Sequence, residues 1–286
     1  MKLAAAPISW GVCEVPDWGV QLPPDRVLRE MAALGFTATE AGPPGFLPAD
    51  ASIARRQLDE RGLRLVGGFV TAVLHDPARR AAELAAVERQ ATWLAAGGAA
   101  STSTAAATGD AGYSAAAEID DGAWGALFVG LDRVGDIAAR AGLTVAVHPH
   151  FGTVIERRHH IEHFLAGCAH GLCLDTGHLA LGGADPVAVA KDAGGRVKHV
   201  HLKDTDASLA ARTRAGTLDY ADAVRQGLYR PLGEGAARIA DVLACLGASG
   251  YEGWYVLEQD VMLERAPAEG APAHVARSLA FLRGHA

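Results

Sequence analysis

The sequence predicts an α/β fold in which one domain, residues 1–286, forms a closed (β/α)8 barrel of the TIM type. Short apolar runs typical of buried strands alternate with longer segments whose apolar residues recur at helical spacing. Glycine closes several helical segments directly before the next apolar run, as expected of a left-handed C-cap. Eight such units in 286 residues suit one barrel. A doubly wound open sheet is the alternative, but no G-x-G-x-x-G follows the first apolar run.

The apolar runs place eight predicted strands along the chain. In order they are Lys2–Ser9, Thr37–Ala41, Arg64–Phe69, Ala99–Thr104, Thr144–His148, Leu172–Asp175, Val197–Leu202 and Trp254–Glu258. The first helical segment, Asp25–Gly35, places Val27 and Met31 on one face and ends in glycine. The same order of helix, glycine and strand recurs in "RRQLDERGLRLVG", "VGDIAARAGLTVAV" and "VLACLGASGYEGWYVLE". The low-complexity stretch Ala99–Ala117 begins at the fourth strand, and we expect its second half to be a mobile loop.

Composition and charge favour a small-molecule partner over nucleic acid or a membrane. The net charge is −7, and no long basic run offers an electrostatic footprint for nucleic acid or anionic lipid. The four cysteines form no C-x-x-C pair, and a chain of this length needs no disulfides, so a reducing compartment fits best. The N-terminal apolar stretch is too short for a signal peptide, and no run of about 18 apolar residues follows. We therefore expect a cytoplasmic protein, whose assembly into a homo-oligomer stays open.

Strands five to eight of the predicted barrel each end in polar side chains suited to metal binding. Strand by strand, these are His148 and His150, then Asp175 and His178, then His199, His201, Lys203 and Asp204, and last Glu258 and Asp260. Because a barrel builds its active site from the C-terminal strand ends, these side chains can converge. Two imidazoles and two carboxylates suit Mn²⁺, Co²⁺, Zn²⁺ or Fe²⁺ better than Mg²⁺ or Ca²⁺.

Several of these residues also have a purely structural interpretation. Asp175 precedes Thr-Gly-His and could cap the next helix. The alternation of a strand puts His199 and His201 on the same inward side, where His199 is expected to pack inside the barrel and His201 to bind the metal nearer the mouth. Glu258 is hard to explain by structure alone, because a carboxylate at a barrel-facing strand end needs a partner or a metal.

The tract "ERRHHIEH", Glu156–His163, resembles a metal-binding sequence but is predicted to lie on a helix. We expect its histidines, His159, His160 and His163, to form a solvated face. Glu156, at the end of the preceding loop, could still reach the site.

Several motifs identify the chain as similar to the inosose dehydratases of inositol catabolism, which belong to the xylose-isomerase-like TIM barrels of sugar isomerases, epimerases and dehydratases. The narrower motifs are N-terminal: "APISWG", "EVPDWG" and "QLPPDRVLREMAALGFTATEAGPPGFLP". The motifs "CLDTGHLAL", "HVHLKD" and the late E-Q-D mark the wider superfamily. The resemblance covers essentially the whole chain. It implies a lyase that removes water from 2-keto-myo-inositol with the help of Mn²⁺ or Co²⁺.

The resemblance also gives a meaning to the histidines of strand five. In the epimerases this strand typically ends in a glutamate ligand, whereas the resembling dehydratases carry a run of histidines there. His148 occupies the glutamate position and His150 lies two residues on. One of them is expected to hold the metal and the other to transfer a proton, and the sequence does not say which. Two departures from the family are Ala41, where leucine is usual, and the alanine-rich loop after strand four.

The implied mechanism has a divalent ion polarise the ketone and stabilise an enediolate, while a base removes the α-proton and an acid protonates the leaving hydroxyl. The metal ligands would be His148, Asp175, His201 and Glu258. The candidates for acid and base are His150, Glu156, His178 and Lys203. Asp204 would orient Lys203, a ligand or the substrate, and the residues expected to face a polyol ring are Trp10, Glu14, Trp18 and Glu40. Gly97-Gly98 and Gly233-Glu234-Gly235 lack the context of a phosphate loop, so the substrate is expected to be unphosphorylated.

Three other classes share parts of this pattern. A sugar isomerase or epimerase would use the same metal site on an unphosphorylated ketose and differs only in the strand-five histidines and the N-terminal motifs. A nuclease of the endonuclease-like branch would need basic grooves, and the net charge of −7 counts against it. A sugar-binding barrel without catalysis would be recognised by the absence of bound metal.

Overall fold

The computed structural model describes residues 1–110, 117–270 and 272–285, and its main feature is a nearly closed parallel barrel. The barrel strands are β1 Lys2–Ala5, β2 Ala38–Glu40, β3 Arg64–Gly67, β4 Phe69–Ala72, β5 Ser101–Ala106, β6 Thr144–Val147, β7 Gly171–Asp175, β8 Val197–Leu202 and β11 Trp254–Leu257; two short strands between β8 and β11 form a separate sheet. Around the barrel they follow the order β3-β2-β1-β11-β8-β7-β6-β5-β4. The fold class predicted from the sequence is confirmed, and the open sheet is not formed.

The third predicted strand is divided at Gly68, which is why eight predicted strands become nine. The carbonyl of Gly67 accepts from Ala41 on the β2 side, and the carbonyl of Gly68 accepts from Ser103 on the β5 side. Leu94 belongs to the helix Arg80–Gly97. A Cβ at Gly68 would lie 2.8 Å from Cδ2 of Leu94, so glycine at this position allows the helix to approach the strand closely. β3 and β4 are therefore the two halves of one barrel position.

The α-helices are α1 Pro24–Ala33, α2 Ala51–Asp59, α3 Arg80–Gly97, α4 Asp121–Arg140, α5 Arg158–Gly167, α6 Thr176–Leu181, α7 Pro186–Ala193, α8 Ala207–Arg214, α9 Tyr220–Arg225, α10 Ile239–Ala248 and α11 Ala273–Arg283. Most of them pack around the outside of the barrel, whereas α8 and α9 lie in the connection between β8 and α10. In α1 the face predicted to be apolar is buried, including Val27 and Met31. No helix within the described part of the chain is long and apolar enough to cross a membrane.

Two predicted segments differ from the structure. The strand predicted over Lys2–Ser9 ends at Ala5, because Pro7 begins a 3-10 turn, Pro7–Trp10. The stretch Ala99–Ala117 does contain the fourth barrel strand, β5. Of its second half, residues 111–116 lie outside the described residues, and with them most of the loop expected to be mobile.

The expectation that the histidines of Glu156–His163 all face solvent is wrong for His160. His159 and His163 are exposed, but His160 is 2% exposed. Its Nδ1 accepts from the backbone N–H groups of Glu156 at 3.4 Å and Arg157 at 3.2 Å. These donors at the start of α5 have no carbonyl partner in the helix, so His160 acts as a cap for the helix.

A short antiparallel sheet of two strands, β9 Asp204–Thr205 and β10 Tyr229–Arg230, follows β8 on the mouth side of the barrel. Asp204 accepts backbone N–H bonds from Gly233, Gly235 and Ala237 at 2.9 to 3.0 Å. The carboxylate thus fixes the loop after β10. This loop and the β8 end are held in place beside the C-terminal ends of the strands.

Candidate metal centre and active site

Four buried side chains from neighbouring strands meet at the C-terminal mouth of the barrel. His148 directly follows β6, Asp175 ends β7, His201 lies in β8 and Glu258 directly follows β11. Oδ2 of Asp175 lies 3.4 Å from Nε2 of His148 and 3.3 Å from Nδ1 of His201. Nδ1 of His201 lies 3.2 Å from Oε2 of Glu258. The convergence expected from the sequence is present in the fold.

Three of these converging atoms lack a hydrogen-bond partner among the described residues although they are buried. They are Nε2 of His148, Oδ2 of Asp175 and Nδ1 of His201. Leaving buried polar atoms unpaired costs free energy, and atoms without partners that face one point are explained by a cation there. Asp175, His201 and Glu258 form one group whose ligand atoms lie within 4.8 Å of one another. The buried imidazoles and carboxylates could therefore hold a divalent metal.

Each of these side chains is fixed from its far side. Nδ1 of His148 contacts Oγ of Ser103 at 2.9 Å. Oδ1 of Asp175 accepts from the backbone N–H of His178 at 2.8 Å, so this residue caps α6 while its other oxygen faces the cluster. The capping role suggested by the sequence for Asp175 is present, and it leaves Oδ2 of the same side chain facing the cluster. Burial, the largest influence, lowers the pKa of His148 to about 4, which keeps the ring neutral.

Glu40, expected to face a polyol, lies at the end of β2 and contacts two histidines of β8. Its Oε1 is 2.8 Å from Nε2 of His199 and 3.1 Å from Nε2 of His201. Burial favours the protonated acid, but these imidazoles outweigh it and hold the pKa of Glu40 below its usual range. His199 itself packs within the barrel, where its Nδ1 lies 3.3 Å from Oγ of Ser101.

Lys203 is a fully buried cation beside the cluster. Its Nζ lies 2.5 Å from Oε1 of Glu258, 2.9 Å from Oδ1 of Asp260 and 3.1 Å from Nε2 of His178. Burial alone would lower the pKa of Lys203, but the carboxylates of Asp175, Asp260 and Glu258 raise it well above the usual value. The ammonium form is therefore maintained, and this side chain is suited to donating hydrogen bonds and stabilising negative charge.

This network is extended by Asp260, which the sequence placed among the polar strand ends, and by two tyrosines for which the sequence predicted no role. Oδ2 of Asp260 accepts from the hydroxyl of Tyr220 at 2.9 Å, and that hydroxyl is 3.0 Å from the hydroxyl of Tyr229. Burial raises the pKa of Asp260 although Lys203 opposes the shift. The sequence feature that pointed to Asp260 is its position two residues after Glu258, which places the two side chains on the same side of an extended chain. The tyrosines lie in the β8–α10 connection, where no periodic pattern indicated a role.

His150 and His178 stack against each other, with ring centroids 3.7 Å apart. Nδ1 of His150 donates to the carbonyl oxygen of Phe151 at 2.8 Å, so Nε2 carries the lone pair in the neutral ring. Burial is the largest cause that lowers the pKa of each ring well below its usual value. Smaller contributions come from a neighbouring histidine, which is His148 for His150 and His150 for His178, and from Lys203. Both imidazoles are thus neutral near neutral pH and can accept a proton.

A cavity of about 220 Å³ opens onto the cluster. Among the residues expected from the sequence to form the site, those that line it are Glu14, Trp18, Glu40, His148, His150, His201 and Glu258. Asp175, His178 and Lys203 lie behind this lining and contact it. The cavity wall includes no lysine or arginine among the described residues.

Three residues expected in the site have other partners and do not line the cavity. The indole of Trp10 donates to Glu30 at 3.0 Å, because the 3-10 turn after β1 directs it toward α1. Oε2 of Glu156 accepts from the backbone of Gly152 at 2.8 Å. Asp204 accepts from the backbone of the loop after β10.

The sequence matches a family model described as a xylose isomerase-like TIM barrel over residues 28–285. An inosose dehydratase of Geobacillus thermodenitrificans is 30% identical over 275 residues, which cover 91% of this chain and 90% of the relative. The rhizopine catabolism protein MocC of Rhizobium meliloti is 31% identical, with 91% and 82% covered.

Solved structures of sugar epimerases have the same fold. D-psicose 3-epimerase from Clostridium cellulolyticum H10 superposes with a TM-score of 0.72 at 17% identity and covers 100% of this chain and 99% of its own. The 3-keto-D-glucoside 4-epimerase of E. coli gives a TM-score of 0.68 at 19% identity, with 99% of each chain covered.

Proposed function

Because the chain belongs to the xylose isomerase-like TIM barrel family, we propose that it is a metal-dependent hydro-lyase that dehydrates 2-keto-myo-inositol or a related inosose. Its similarity to inosose dehydratases over nine-tenths of its length supports this substrate class. The observation that carries the proposal is the convergence of polar atoms from four strands, three of them buried without a hydrogen-bond partner among the described residues.

The metal would be held by Nε2 of His148, Oδ2 of Asp175, Nδ1 of His201 and Oε2 of Glu258. Two nitrogen and two oxygen donors suit Mn²⁺ or Co²⁺, and Zn²⁺ or Fe²⁺ fit the same donor set. A divalent cation bound there would polarise the ketone of the substrate and stabilise the enediolate. His148 is assigned as the ligand of strand five because its Nε2 faces Asp175, whereas Nδ1 of His150 bonds to Phe151.

His150 would remove the α-proton. Its Nδ1–H is held by the Phe151 carbonyl, so Nε2 is the nitrogen that accepts a proton, and the ring lines the cavity. The proton that His150 gains would be returned to the leaving hydroxyl, which departs as water, so the step balances without a second acid. His178, stacked on His150, would hold that ring in place. The ammonium of Lys203, 3.1 Å from Nε2 of His178, would keep its proton and stabilise negative charge beside the cluster.

The cavity fits an unphosphorylated cyclic polyol. Trp18 and Phe69 provide apolar ring surface, and Glu14 lies in the same wall. The absence of lysine and arginine from the described wall removes the groups that would bind a phosphate ester.

The second candidate is an epimerase or isomerase that acts on a ketose. It is favoured by the observation that the same metal cluster and the same two neutral imidazoles would serve its reaction. Epimerisation requires proton transfer at opposite faces of the substrate. Apart from the proposed ligands, His150 is the imidazole of the cavity wall among the described residues, so proton transfer is expected from one side, which favours dehydration.

The test is to incubate Mn²⁺-loaded protein with a panel of inososes and unphosphorylated ketoses and to follow the products by mass spectrometry. We expect an inosose to lose one water. A product of unchanged mass but altered chromatographic position would instead establish the epimerase or isomerase. Full turnover by protein shown to be free of metal would contradict the metal-dependent mechanism.

A further inference from the structure

The contact between Glu40 and His201 determines which nitrogen of this imidazole can bind a metal. A carboxylate accepts hydrogen bonds and does not donate them, so Nε2 of His201 carries the proton in its 3.1 Å contact with Oε1 of Glu40. With this proton held on Nε2, Nδ1 is the nitrogen whose lone pair a metal ion can bind. This is the atom 3.3 Å from Oδ2 of Asp175 and 3.2 Å from Oε2 of Glu258.

Glu40 is itself held from the side opposite to the metal cluster. Its Oε1 also contacts Nε2 of His199 at 2.8 Å, and the other nitrogen of that ring contacts Oγ of Ser101 at 3.3 Å. Glu40 is 5% exposed and His199 is 2% exposed. Turning the carboxylate toward a ligand in the cavity would break two buried charge-assisted bonds, which makes substrate binding by this oxygen unfavourable.

We propose that Glu40 is a positioning residue that holds His201 as the Nε2–H tautomer and so presents Nδ1 to the metal. The inference rests on the metal-dependent function proposed above, and it gives Oε1 of Glu40 a role other than the substrate binding that the sequence suggested for this residue. A carboxylate bonded to the outer nitrogen of a ligand imidazole fixes the ring orientation and increases its basicity. Loss of such a partner typically weakens metal binding by about 10–100-fold.

The chain offers a matched control in Glu30, another buried glutamate bonded to a ring N–H. Its Oε2 accepts from the indole of Trp10 at 3.0 Å, in α1 and away from the cavity lining. Glu40→Gln and Glu30→Gln thus make the same change of carboxylate to amide in two buried sites. Only the first touches a proposed metal ligand.

The experiment is calorimetric titration of metal-free wild type and both variants with Mn²⁺ and with Co²⁺, with thermal unfolding of the metal-free proteins recorded alongside. We expect Glu40→Gln to raise the dissociation constant by about 10–100-fold and Glu30→Gln to leave it unchanged. Unchanged metal affinity in folded Glu40→Gln would overturn the inference and favour a direct role with substrate. Failure of the wild type to bind metal would instead contradict the proposed function.

A second measurement needs no variant and decides the matter even if Glu40→Gln does not fold. In wild-type protein loaded with Zn²⁺, nitrogen NMR of the histidine side chains should show His201 with a metal-bound Nδ1 and a protonated Nε2. His148, whose Nδ1 contacts Ser103, should show the reverse pattern. Metal binding through Nε2 of His201 would overturn the inference.

Discussion

At the scale of single residues, the site separates into groups that face one another and groups that support them. Glu258 illustrates the difference between its two oxygens. Oε2 faces Nδ1 of His201, and Oε1 lies 2.5 Å from the ammonium of Lys203. One carboxylate therefore joins the proposed metal cluster to a buried cation, which explains a charged side chain at the end of an apolar strand.

Replacing Glu258 with glutamine should weaken metal binding and turnover while keeping the fold. The amide has nearly the same volume but is a neutral and poorer donor, and it removes a charge partner of Lys203. Metal stoichiometry and melting temperature of the chelated variant are the measurements. Unchanged metal content together with destabilisation of about 1–3 kcal/mol would mean that Glu258 is only a hydrogen-bond acceptor.

Replacing His150 with glutamine should lower kcat by about 10²–10⁴-fold, the range typical of a lost general base, without changing metal affinity. The corresponding change at His148 should reduce metal affinity, because its Nε2 faces Asp175. Steady-state kinetics and metal titration of the two variants check this assignment. If the effects are exchanged, the roles of the two histidines are reversed.

At the scale of secondary-structure elements, the strand ends place the chemistry and the helix starts hold it in position. Asp175 caps α6 and faces the cluster, so the helix start fixes the orientation of a proposed ligand. At α5 the cap is His160, which accepts from Arg157 and whose Nε2 lies 3.4 Å from Oε2 of Glu118. An imidazole can accept from the backbone only while it is unprotonated, so this helix start depends on pH.

The pH dependence of α5 can be isolated with His160→Gln, which keeps an acceptor at the same helix position but does not titrate. Burial is the main cause that lowers the pKa of His160 below 6.5 in the folded protein. The unfolded chain therefore binds the proton more readily, and stability is lost as the pH falls from about 6.5 toward the lowered value. Chemical unfolding of both proteins from pH 8 to pH 5 should show wild type losing up to about 1 kcal/mol more than the variant. Parallel curves would exclude this role of His160.

At the scale of the whole molecule, barrel closure buries a dense set of charges in one place. Nine ionisable side chains among the described residues lie at the mouth, each at most 8% exposed. They are the carboxylates of Glu40, Asp175, Glu258 and Asp260, the ammonium of Lys203 and the imidazoles of His148, His150, His178 and His201. Lys203 neutralises part of this negative charge. A divalent cation at the cluster would neutralise more of it and would connect β6, β7, β8 and β11.

Metal should therefore stabilise the folded protein in proportion to its occupancy. At a free concentration 100 times the dissociation constant, binding to the folded state adds about 2.7 kcal/mol. The melting temperature of the chelated protein should rise with added Mn²⁺ or Co²⁺ and should rise much less in Asp175→Asn, which replaces the central carboxylate. Equal shifts in both proteins would place the binding elsewhere.

The sequence by itself determined the barrel and the mouth at which the polar side chains meet. Both follow from local patterns: apolar runs and helical periodicity specify strands and helices, and parallel strands bring successive C-terminal ends to one face. The family was likewise recognisable from contiguous motifs. The convergence of His148, Asp175, His201 and Glu258 requires only that each residue lie at a strand end, which is why local patterns are sufficient to predict it.

The tertiary structure decided what each side chain contacts. Trp10 turns toward Glu30, Glu156 and Asp204 bind backbone, and Glu40 reaches His201 across 161 positions of sequence. Such contacts depend on strand register, on rotamers and on which buried donors need acceptors, and none of these is contained in a local pattern. The proposed roles of His148 and His150 and the proposed use of Nδ1 of His201 therefore depend on the tertiary structure, because the hydrogen bonds that fix each ring come from other strands or from the folded loop.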